Sequence, residues 1–371
     1  MRIAITGARG FIGSNLQVRL QELGFTDRVL VPHDIQPEGL RALLDGVDFV
    51  FHLAGVNRPK ETSAFEQGNH SFTRMLCEAM AALERKPRVA YTSSTQALHD
   101  NPYGVSKRQA EDALLAYGQS HGVGVHLFRL TNVFGKWSRP NYNSAVATFC
   151  HNIARGLPIA INDPNSALCL VYVDDVLTQF CALLADADAP SGLCQAGPEY
   201  ETTVGELGAQ IQAFRDSRDT MVSERVGTGL TRALYSTYVS FLPVEAFDYQ
   251  VARHEDPRGV FVEMLKTPDC GQFSYFTAHP GITRGEHYHH SKTEKFLVIK
   301  GKAHFGFRHI VNNETHEIVT QGGEGRIVET VPGWTHNITN IGEDEMIVML
   351  WTNEIFDRQQ PDTVAQKVSQ A

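Results

Sequence analysis

The chain has 371 residues, of which 42% are hydrophobic and 20% are charged, and its formal net charge is −9. This composition excludes a generally disordered chain and predicts two folded domains, each with its own core. The negative charge and the absence of a long Lys/Arg run argue against a nucleic-acid partner.

No stretch of the sequence is long enough to span a bilayer, and the chain enters a predicted strand at its start without the pattern of a signal peptide. We therefore expect a cytoplasmic protein with no membrane partner. The six cysteines show no C-x-x-C spacing, which favours reduced, mostly buried thiols. They are Cys77, Cys150, Cys169, Cys181, Cys194 and Cys270.

The first predicted strand, residues 2–6, leads into a glycine loop and a helix over residues 14–23. Gly7, Gly10 and Gly13 permit a tight turn and let the backbone approach a pyrophosphate, which the N-terminus of the helix stabilises. Further strands, such as residues 88–93, alternate with helical stretches such as residues 71–83. That alternation predicts a parallel sheet.

Tyr103 and Lys107 lie four residues apart at the start of a predicted helix over residues 103–116, so they share one face. We expect the lysine ammonium to lower the pKa of the phenol and make it a proton donor near neutral pH. Ser94 would hydrogen-bond the oxygen of a substrate carbonyl. The alternative is a tyrosine and a lysine on the surface of an amphipathic helix.

The glycine spacing, His52-Leu-Ala-Gly55, Ser94 and Tyr103-Gly-Val-Ser-Lys107 together resemble the extended short-chain dehydrogenase/reductase family, over roughly the first two thirds of the chain. The resemblance implies a doubly wound Rossmann sheet, a nicotinamide cofactor and Ser94, Tyr103 and Lys107 as catalytic residues. The expected cofactor-binding residues are Gly7, Arg9, Gly10, Phe11, Ile12, Gly13, His33, Asp34, Leu53, Ala54, Gly55, Tyr103 and Lys107.

Two departures from this family bear on the reaction. The interval between Ser94 and Tyr103 is shorter than in most extended members. Nucleotide-sugar dehydratases of the family carry an Asp-Glu pair directly after the catalytic Ser or Thr, whereas this chain has Thr95-Gln96. Because neither side chain is an acid/base group, the sequence favours ketone reduction over dehydration.

The choice of cofactor depends on residues near the glycine loop. Asp34, about twenty residues beyond Gly13, could bind the 2′-hydroxyl of NAD. Arg9 and His33 could instead face a 2′-phosphate. A reductive biosynthetic step normally draws on NADPH, so we favour NADPH and keep NADH as the alternative.

The C-terminal part carries a metal-ligand pattern. Gly281 is followed after five residues by His287-x-His289, after four more by Glu294, and after six more by Gly301. A second block, Pro332-Gly333-x-x-His336 and then Asn340, lies further on. Two imidazoles two residues apart on a strand point to one face, and Glu294 with a histidine on a neighbouring strand can close the site. The alternative is histidines that merely line a β surface.

These blocks resemble the two cupin motifs, the second departing by one extra residue over residues 325–332. Strands that alternate and turn at glycines surround them and predict an all-β jelly-roll barrel. The metal ligands would be His287, His289, Glu294 and His336. Nitrogen and oxygen donors suit Zn²⁺, although manganese, iron or nickel would also fit.

Residues 256–263 and Arg284-Gly-Glu-His287-Tyr look like segments of the deoxyhexulose-nucleotide epimerases. His287 aligns both with the catalytic histidine of those enzymes and with a cupin metal ligand, and His290 and Lys292 lie close in sequence. The base is therefore open at this stage, with His290 as the candidate catalytic residue.

The order of the two parts along the chain, an extended reductase followed by an epimerase-like cupin, is similar to that of the CapF family of bifunctional capsular polysaccharide enzymes. This resemblance implies a reductase domain over residues 1–245 and a cupin epimerase domain over residues 246–371. It also implies a homodimer joined through the cupin domain. A UDP-linked 2-acetamido-2,6-dideoxy-4-hexulose would be epimerised at carbon 3, then reduced at carbon 4 to UDP-N-acetyl-6-deoxytalosamine, a precursor of N-acetylfucosamine.

Two other hypotheses come from different classes of protein. In one, the cupin domain is a non-catalytic module for dimerisation or sugar binding, and only the reductase works. In the other, a transcriptional or storage cupin is fused to a degenerate dehydrogenase. The intact set of Ser94, Tyr103 and Lys107 argues against the second of these.

Overall fold

The structure is a computed structural model that describes residues 1–57, 61, 63–256, 259–262, 265, 271–354 and 359–369. The chain divides into two compact units, one made of residues 1–133 and 169–201 and the other of residues 134–168 and 202–371. The domain boundary after residue 245 stays a prediction. Cys270 and part of the segment 256–263, namely Pro257, Arg258 and Glu263, lie outside the described residues.

The helices are α1 (Phe11–Glu22), α2 (Pro37–Leu43), α3 (Ser63–Phe65), α4 (Phe72–Ala81), α5 (Pro102–His121), α6 (Ala145–Ile153), α7 (Val173–Ala185), α8 (Val204–Thr220) and α9 (Gly229–Ser240). A π-helical turn (Glu66–Ser71) joins α3 to α4, and 3₁₀ turns cover Thr95–Leu98 and Val244–Ala246.

The strands of the first two thirds are β1 (Ile3–Thr6), β2 (Arg28–Val31), β3 (Phe49–His52), β4 (Arg88–Ser94), β5 (Val125–Leu130), β6 (Asn132–Phe134), β7 (Ala167–Tyr172), β8 (Gly192–Leu193) and β9 (Glu199–Thr203). Those that follow are β10 (Asp248–Gln250), β11 (Arg253–Asp256), β12 (Gly259–Val262), β13 (Gln272–Ala278), β14 (Thr283–Tyr288), β15 (Glu294–Lys300), β16 (Lys302–His309), β17 (Thr315–Gln321), β18 (Arg326–Glu329), β19 (Trp334–Asn340), β20 (Met346–Thr352) and β21 (Val364–Ala365).

A six-stranded parallel sheet in the order β2-β1-β3-β4-β5-β8 forms the centre of the first unit. Its inner strands are buried along their length, as parallel strands covered on both faces must be. From β1 the chain first adds β2 on one side and then β3 on the other, so the winding reverses between β1 and β3. Such a switch point is where doubly wound sheets bind ligands, and it confirms the predicted Rossmann architecture.

Two five-stranded antiparallel sheets lie in the second unit, with orders β10-β18-β15-β20-β13 and β17-β16-β19-β14-β21. The Phe296 ring on β15 lies 5.6 Å from the Phe305 ring on β16, so the two sheets pack face to face. Val298, Ile318 and Val348 are buried in the core. This arrangement confirms the predicted all-β C-terminal architecture. Helices α6, α8 and α9 belong to the same unit.

The helix boundaries differ from the sequence predictions for local reasons. Helix α1 begins three residues early because Gly10 serves as its N-cap. Helix α5 extends to His121, with the Asn101 side chain accepting a 2.8 Å hydrogen bond from the Gly104 amide at its start. Gly122 ends α5 at a φ of 64°.

Five of the six cysteines belong to the described part of the chain, and all five are free thiols. Cys150 is fully buried, and burial raises the pKa of its thiol. Within the described ranges, none of the helices combines the length and the apolar character needed to cross a membrane.

Candidate functional site

The glycine loop after β1 forms a cradle at the switch point of the parallel sheet. Gly7 has a φ of 65°, and a Cβ added to it would lie 2.7 Å from the Ala54 amide nitrogen that follows β3. A Cβ on Gly13 would lie 2.3 Å from the Gly7 carbonyl oxygen. Only glycine fits at either position. The amides at the start of α1 therefore face a space that suits a dinucleotide pyrophosphate.

The other predicted cofactor residues surround this cradle. Phe11 and Ile12 form the first turn of α1, and Leu53, Ala54 and Gly55 follow β3 directly. Arg9, His33 and Asp34 are exposed and follow β1 and β2, which are adjacent parallel strands. NADPH and NADH differ at the 2′ position of the adenosine ribose. Arg9 could bind the 2′-phosphate of NADPH there, and Asp34 could bind the 2′-hydroxyl of NADH.

The 3₁₀ turn after β4 brings Ser94, Tyr103 and Lys107 together. Ser94 caps this turn, where its hydroxyl accepts a hydrogen bond from the Gln96 amide, and it lies close enough to the Tyr103 phenol to affect the pKa of that group. The ring of Phe65 covers the Tyr103 ring at a centroid distance of 5.5 Å. Lys107 is buried, and its Nζ donates to the Thr92 carbonyl oxygen at 2.9 Å. The turn shows how the short interval from Ser94 to Tyr103 still assembles the set.

The electrostatics of this set differ from the expectation in one respect. Burial raises the pKa of Tyr103, and the nearby Ser94 hydroxyl only partly offsets that increase. The expected lowering of the phenol pKa by Lys107 is wrong for this structure. The lysine itself is affected, because burial lowers the pKa of Lys107 to about 8, against the opposing charge of Glu111.

Two buried polar residues, Glu111 and Asn69, hold helix α5 in place, and the sequence reasoning missed them. Glu111 on α5 accepts a 2.7 Å hydrogen bond from Arg129 on β5 and another from the Ser93 hydroxyl on β4. Asn69, in the π-helical turn, donates to the Ser106 hydroxyl of α5 at 3.0 Å. Buried polar groups of this kind fix the position of a helix only when each has a partner. No motif marks them, since their partners lie far along the chain.

The four predicted metal ligands meet in the second unit. His287, His289, Glu294 and His336 each offer one ligand atom, and these four atoms all lie within 4.8 Å of one another. One Glu294 carboxylate oxygen lies 3.3 Å from Nε2 of both His289 and His336. Glu294 begins β15 in one sheet, whereas His287 and His336 pair across β14 and β19 of the other. The group thus lies between the two sheets.

This donor set fits a divalent cation. Nε2 of His289 and both ring nitrogens of His336 are buried, and none makes a hydrogen bond of acceptable geometry within the described ranges. Burial, with the neighbouring imidazoles, lowers the pKa of His287 to about 3. The pKa of Glu294 is held well below its usual value by His289 and His336, which outweigh the effect of burial. Neutral imidazoles and an ionised carboxylate are the forms that bind metals.

A β-bulge in β14 aims His287 at the group. Gly285 and Glu286 both have positive φ, 97° and 61°, and the register against β19 shifts there so that His287 pairs with His336. The Glu286 carboxylate accepts a 2.7 Å hydrogen bond from the Asn337 side chain. His289 lies just beyond the end of β14, so the two imidazoles are not both on one strand, as the sequence had led us to expect.

The two basic residues that follow occupy different surroundings. Lys292 is buried, with its Nζ 3.0 Å from a Glu294 carboxylate oxygen. His290 is also buried, but its ring packs edge-on against the Tyr288 ring at 5.6 Å and is not one of the four grouped ligands. The structure therefore brings Lys292 directly to the ligand group.

Two family models match separate parts of the chain. Residues 3–193 match the NAD dependent epimerase/dehydratase family, and residues 254–364 match the polysaccharide biosynthesis C-terminal domain. The UDP-2-acetamido-2,6-beta-L-arabino-hexul-4-ose reductase of Pseudomonas aeruginosa is 55% identical over 370 residues, which cover 100% of both chains.

Two solved structures are also similar. The capsular polysaccharide assembling protein CapF of Staphylococcus aureus has a TM-score of 0.67 and 39% identity, covering 99% of this chain and 100% of that one. RMD from Pseudomonas aeruginosa, complexed with NADPH, has a TM-score of 0.50 and 25% identity, covering 57% of this chain and 81% of that one.

The Pseudomonas aeruginosa reductase and the Staphylococcus aureus CapF structure each match the chain along nearly its whole length, including both the Ser94, Tyr103 and Lys107 set and the C-terminal β sheets. The match over residues 3–193 supports a nicotinamide cofactor for this part of the chain. The chain therefore belongs to the NAD dependent epimerase/dehydratase family and, along its whole length, to the CapF family of polysaccharide-assembling reductases.

Proposed function

We propose that the chain is a bifunctional enzyme of nucleotide-sugar metabolism. Its C-terminal domain epimerises UDP-2-acetamido-2,6-dideoxy-4-hexulose at carbon 3, and its N-terminal domain then reduces the ketone at carbon 4 with NADPH. The product is UDP-N-acetyl-6-deoxytalosamine. One observation carries the proposal, namely that a single chain holds a complete Ser94, Tyr103 and Lys107 set and a separate group of four metal ligands.

The reductase half follows from the groups around Tyr103. The bound nicotinamide supplies a hydride for carbon 4. Ser94 hydrogen-bonds the substrate oxygen, and Tyr103 donates the proton that oxygen needs as it becomes a hydroxyl. The raised pKa of Tyr103 keeps the phenol protonated over the neutral range, which suits a proton donor. Lys107 contributes a positive charge next to the set.

NADPH is the cofactor we propose. Arg9 and His33 stand at the exposed edge beside the glycine loop, where their side chains can meet a 2′-phosphate. The Pseudomonas aeruginosa structure in complex with NADPH, to which the first part of the chain is similar, supports this choice. Asp34 lies at the same edge and is the residue that would favour NADH.

The epimerase half follows from the chemistry of the substrate. A ketone at carbon 4 acidifies the proton on carbon 3, so epimerisation must precede reduction, which removes the ketone. His287, His289, Glu294 and His336 would hold the metal, which we take to be Zn²⁺. A bound metal ion supplies Lewis-acid polarisation of a carbonyl oxygen. His290 is the proposed base, and Lys292 beside Glu294 is the competing candidate.

The domain limits and the assembly are part of the proposal. We assign residues 1–245 to the reductase and residues 246–371 to the epimerase, with two chains joined through the C-terminal domain. In support, β13 is an edge strand, and its Tyr275 side chain is 73% exposed. Light scattering on the purified chain should give twice the 41.2 kDa of one copy, and a monomer at micromolar concentration would remove the dimer.

Product analysis of two full-length variants tests the two activities. With the 4-keto sugar and NADPH, the wild type should give the sugar that is inverted at carbon 3 and reduced at carbon 4. Tyr103→Phe should stop before reduction, and His289→Ala should lose its metal and fail to invert carbon 3. If His289→Ala still gave the inverted and reduced sugar, the C-terminal domain would be a binding or dimerisation module.

A further inference from the structure

The C-terminal segment, residues 359–369, crosses the strands that carry the metal ligands, and we call it the C-terminal strap. Its short strand β21 pairs with β14, setting Ala365 opposite His287. The amide of Gln366 donates to the Glu286 carbonyl oxygen at 2.8 Å, and the amide of Val368 donates to the Glu286 carboxylate at 2.8 Å. The strap thus holds the bulge that aims His287.

Asp362 of the strap holds the loop on the other side of the ligand group. Its carboxylate accepts hydrogen bonds from three consecutive backbone amides, those of His290 at 2.8 Å, Ser291 at 2.6 Å and Lys292 at 2.7 Å. The Ser291 hydroxyl donates to it as well, at 3.0 Å. This loop leads from the ligand His289 to the ligand Glu294, so one carboxylate fixes the backbone between them.

The backbone of the same residue sets the tautomer of His289. The Asp362 carbonyl oxygen lies 2.5 Å from His289 Nδ1. A carbonyl oxygen only accepts hydrogen bonds, so Nδ1 must carry the proton. Nε2 is then the unprotonated nitrogen, and it is the one that faces Glu294. Metal-binding histidines commonly have their second nitrogen fixed in this way, and loss of such a partner typically lowers metal affinity about 10-fold to 100-fold.

We propose that Asp362 is a positioning residue for the metal site, and that the strap, although remote in sequence, is an integral part of that site. The inference rests on the proposed metal-binding function of the four ligands. Asp362 does not touch the metal or substrate in this account; it acts through His289 and through the loop of residues 290–292.

Zinc affinity of the full-length chain tests the proposal. Asp362→Ala removes every acceptor on the side chain. Asp362→Asn keeps its size but replaces one oxygen with an NH₂ group, which must then face an amide donor. Both variants keep the backbone carbonyl that contacts His289, so they test the hold of the carboxylate on the loop of residues 290–292. Because that loop carries the ligand backbone, both should bind Zn²⁺ about 10-fold more weakly than the wild type, or worse, in a chelator competition. Gln360→Ala, at an exposed position two residues away, is the matched control and should bind as the wild type does.

The visible spectrum of bound Co²⁺ reports directly on the geometry of the metal site. Co²⁺-loaded Asp362→Asn should show visible absorption bands that are shifted or weakened relative to the wild type, while NADPH binding stays close to wild type. Wild-type affinity and spectrum in both Asp362 variants would overturn the role of Asp362 and leave the metal site standing. An equal loss in Gln360→Ala would also overturn it. A wild-type chain that takes up neither metal would overturn the metal site and the strap's role together.

Discussion

Glu329 is buried between two cations, and its replacement offers a sharp test of the energetics of the second unit. The Lys295 ammonium lies 2.9 Å from one carboxylate oxygen, and the Tyr235 hydroxyl donates to the same oxygen at 3.1 Å. Arg218 on α8 binds the other oxygen. Glu329 is 1% exposed and Lys295 is 2% exposed. The two cations lower the pKa of Glu329 to about 2 against the effect of burial.

Glu329→Gln keeps the shape of the side chain but leaves Arg218 and Lys295 without a counter-charge. Removing one partner of a buried ion pair costs about 3–5 kcal/mol, because the remaining charge is buried and uncompensated. For a unit of this size, a loss of that magnitude corresponds to a fall in melting temperature of roughly 6–20 °C. Glu329 directly precedes Thr330, whose amide donates to the Glu294 carbonyl oxygen at 2.9 Å, so metal binding should weaken too.

Thermal and urea unfolding of the purified chain measure the effect. Asp219→Asn is the matched control, because its partner Arg215 lies on the same helix α8 but both side chains are exposed. Exposed pairs contribute no more than about 1 kcal/mol. Changing Arg218, Lys295 and Glu329 together to methionine should restore most of the stability. If the free energy of unfolding of Glu329→Gln lay within about 1 kcal/mol of the wild-type value, the buried ion cluster would not stabilise the protein as proposed.

Three further predictions concern the reductase. Tyr103→Phe should lower kcat for ketone reduction about 100-fold to 10,000-fold with its melting temperature unchanged, and near-normal turnover in an NADPH oxidation assay would remove the assignment. Lys107 loses its positive charge as pH rises through about 8, whereas Tyr103 keeps its proton in this range. The wild-type kcat should therefore fall above pH 8, Lys107→Arg should lack that fall, and identical profiles would contradict the role of the charge. Arg9→Ala should raise KM for NADPH far more than KM for NADH, and equal effects would favour Asp34 and NADH.

The reductase set could be predicted from the sequence because its determinants are local. Gly7, Gly10 and Gly13 lie in one turn, and Tyr103 and Lys107 lie one helical turn apart, so spacing alone relates them. The phenol pKa could not be predicted in the same way. It depends on burial under a ring from another helix, that of Phe65, which no spacing reveals.

The grouping of the four candidate metal ligands could be predicted because two short motifs contain them, but the residues that support them could not. Asp362 lies 73 residues beyond His289, and a lone Asp-x-Val carries no recognisable pattern. Glu286 occupies a left-handed conformation that glutamate rarely adopts, so the bulge before His287 has no sequence signal. Such contacts arise from long-range strand pairing, which one sequence does not specify.

Solvent exchange at carbon 3 tests the central claim, that the C-terminal domain is itself an enzyme and acts first. Tyr103→Phe is incubated with the 4-keto sugar in heavy water without NADPH, and carbon 3 is followed by proton NMR and mass spectrometry. Deuterium should enter carbon 3 in this variant, and a His289→Ala, Tyr103→Phe double variant should show no exchange above the enzyme-free rate. No exchange in Tyr103→Phe, or equal exchange in both variants, would contradict it.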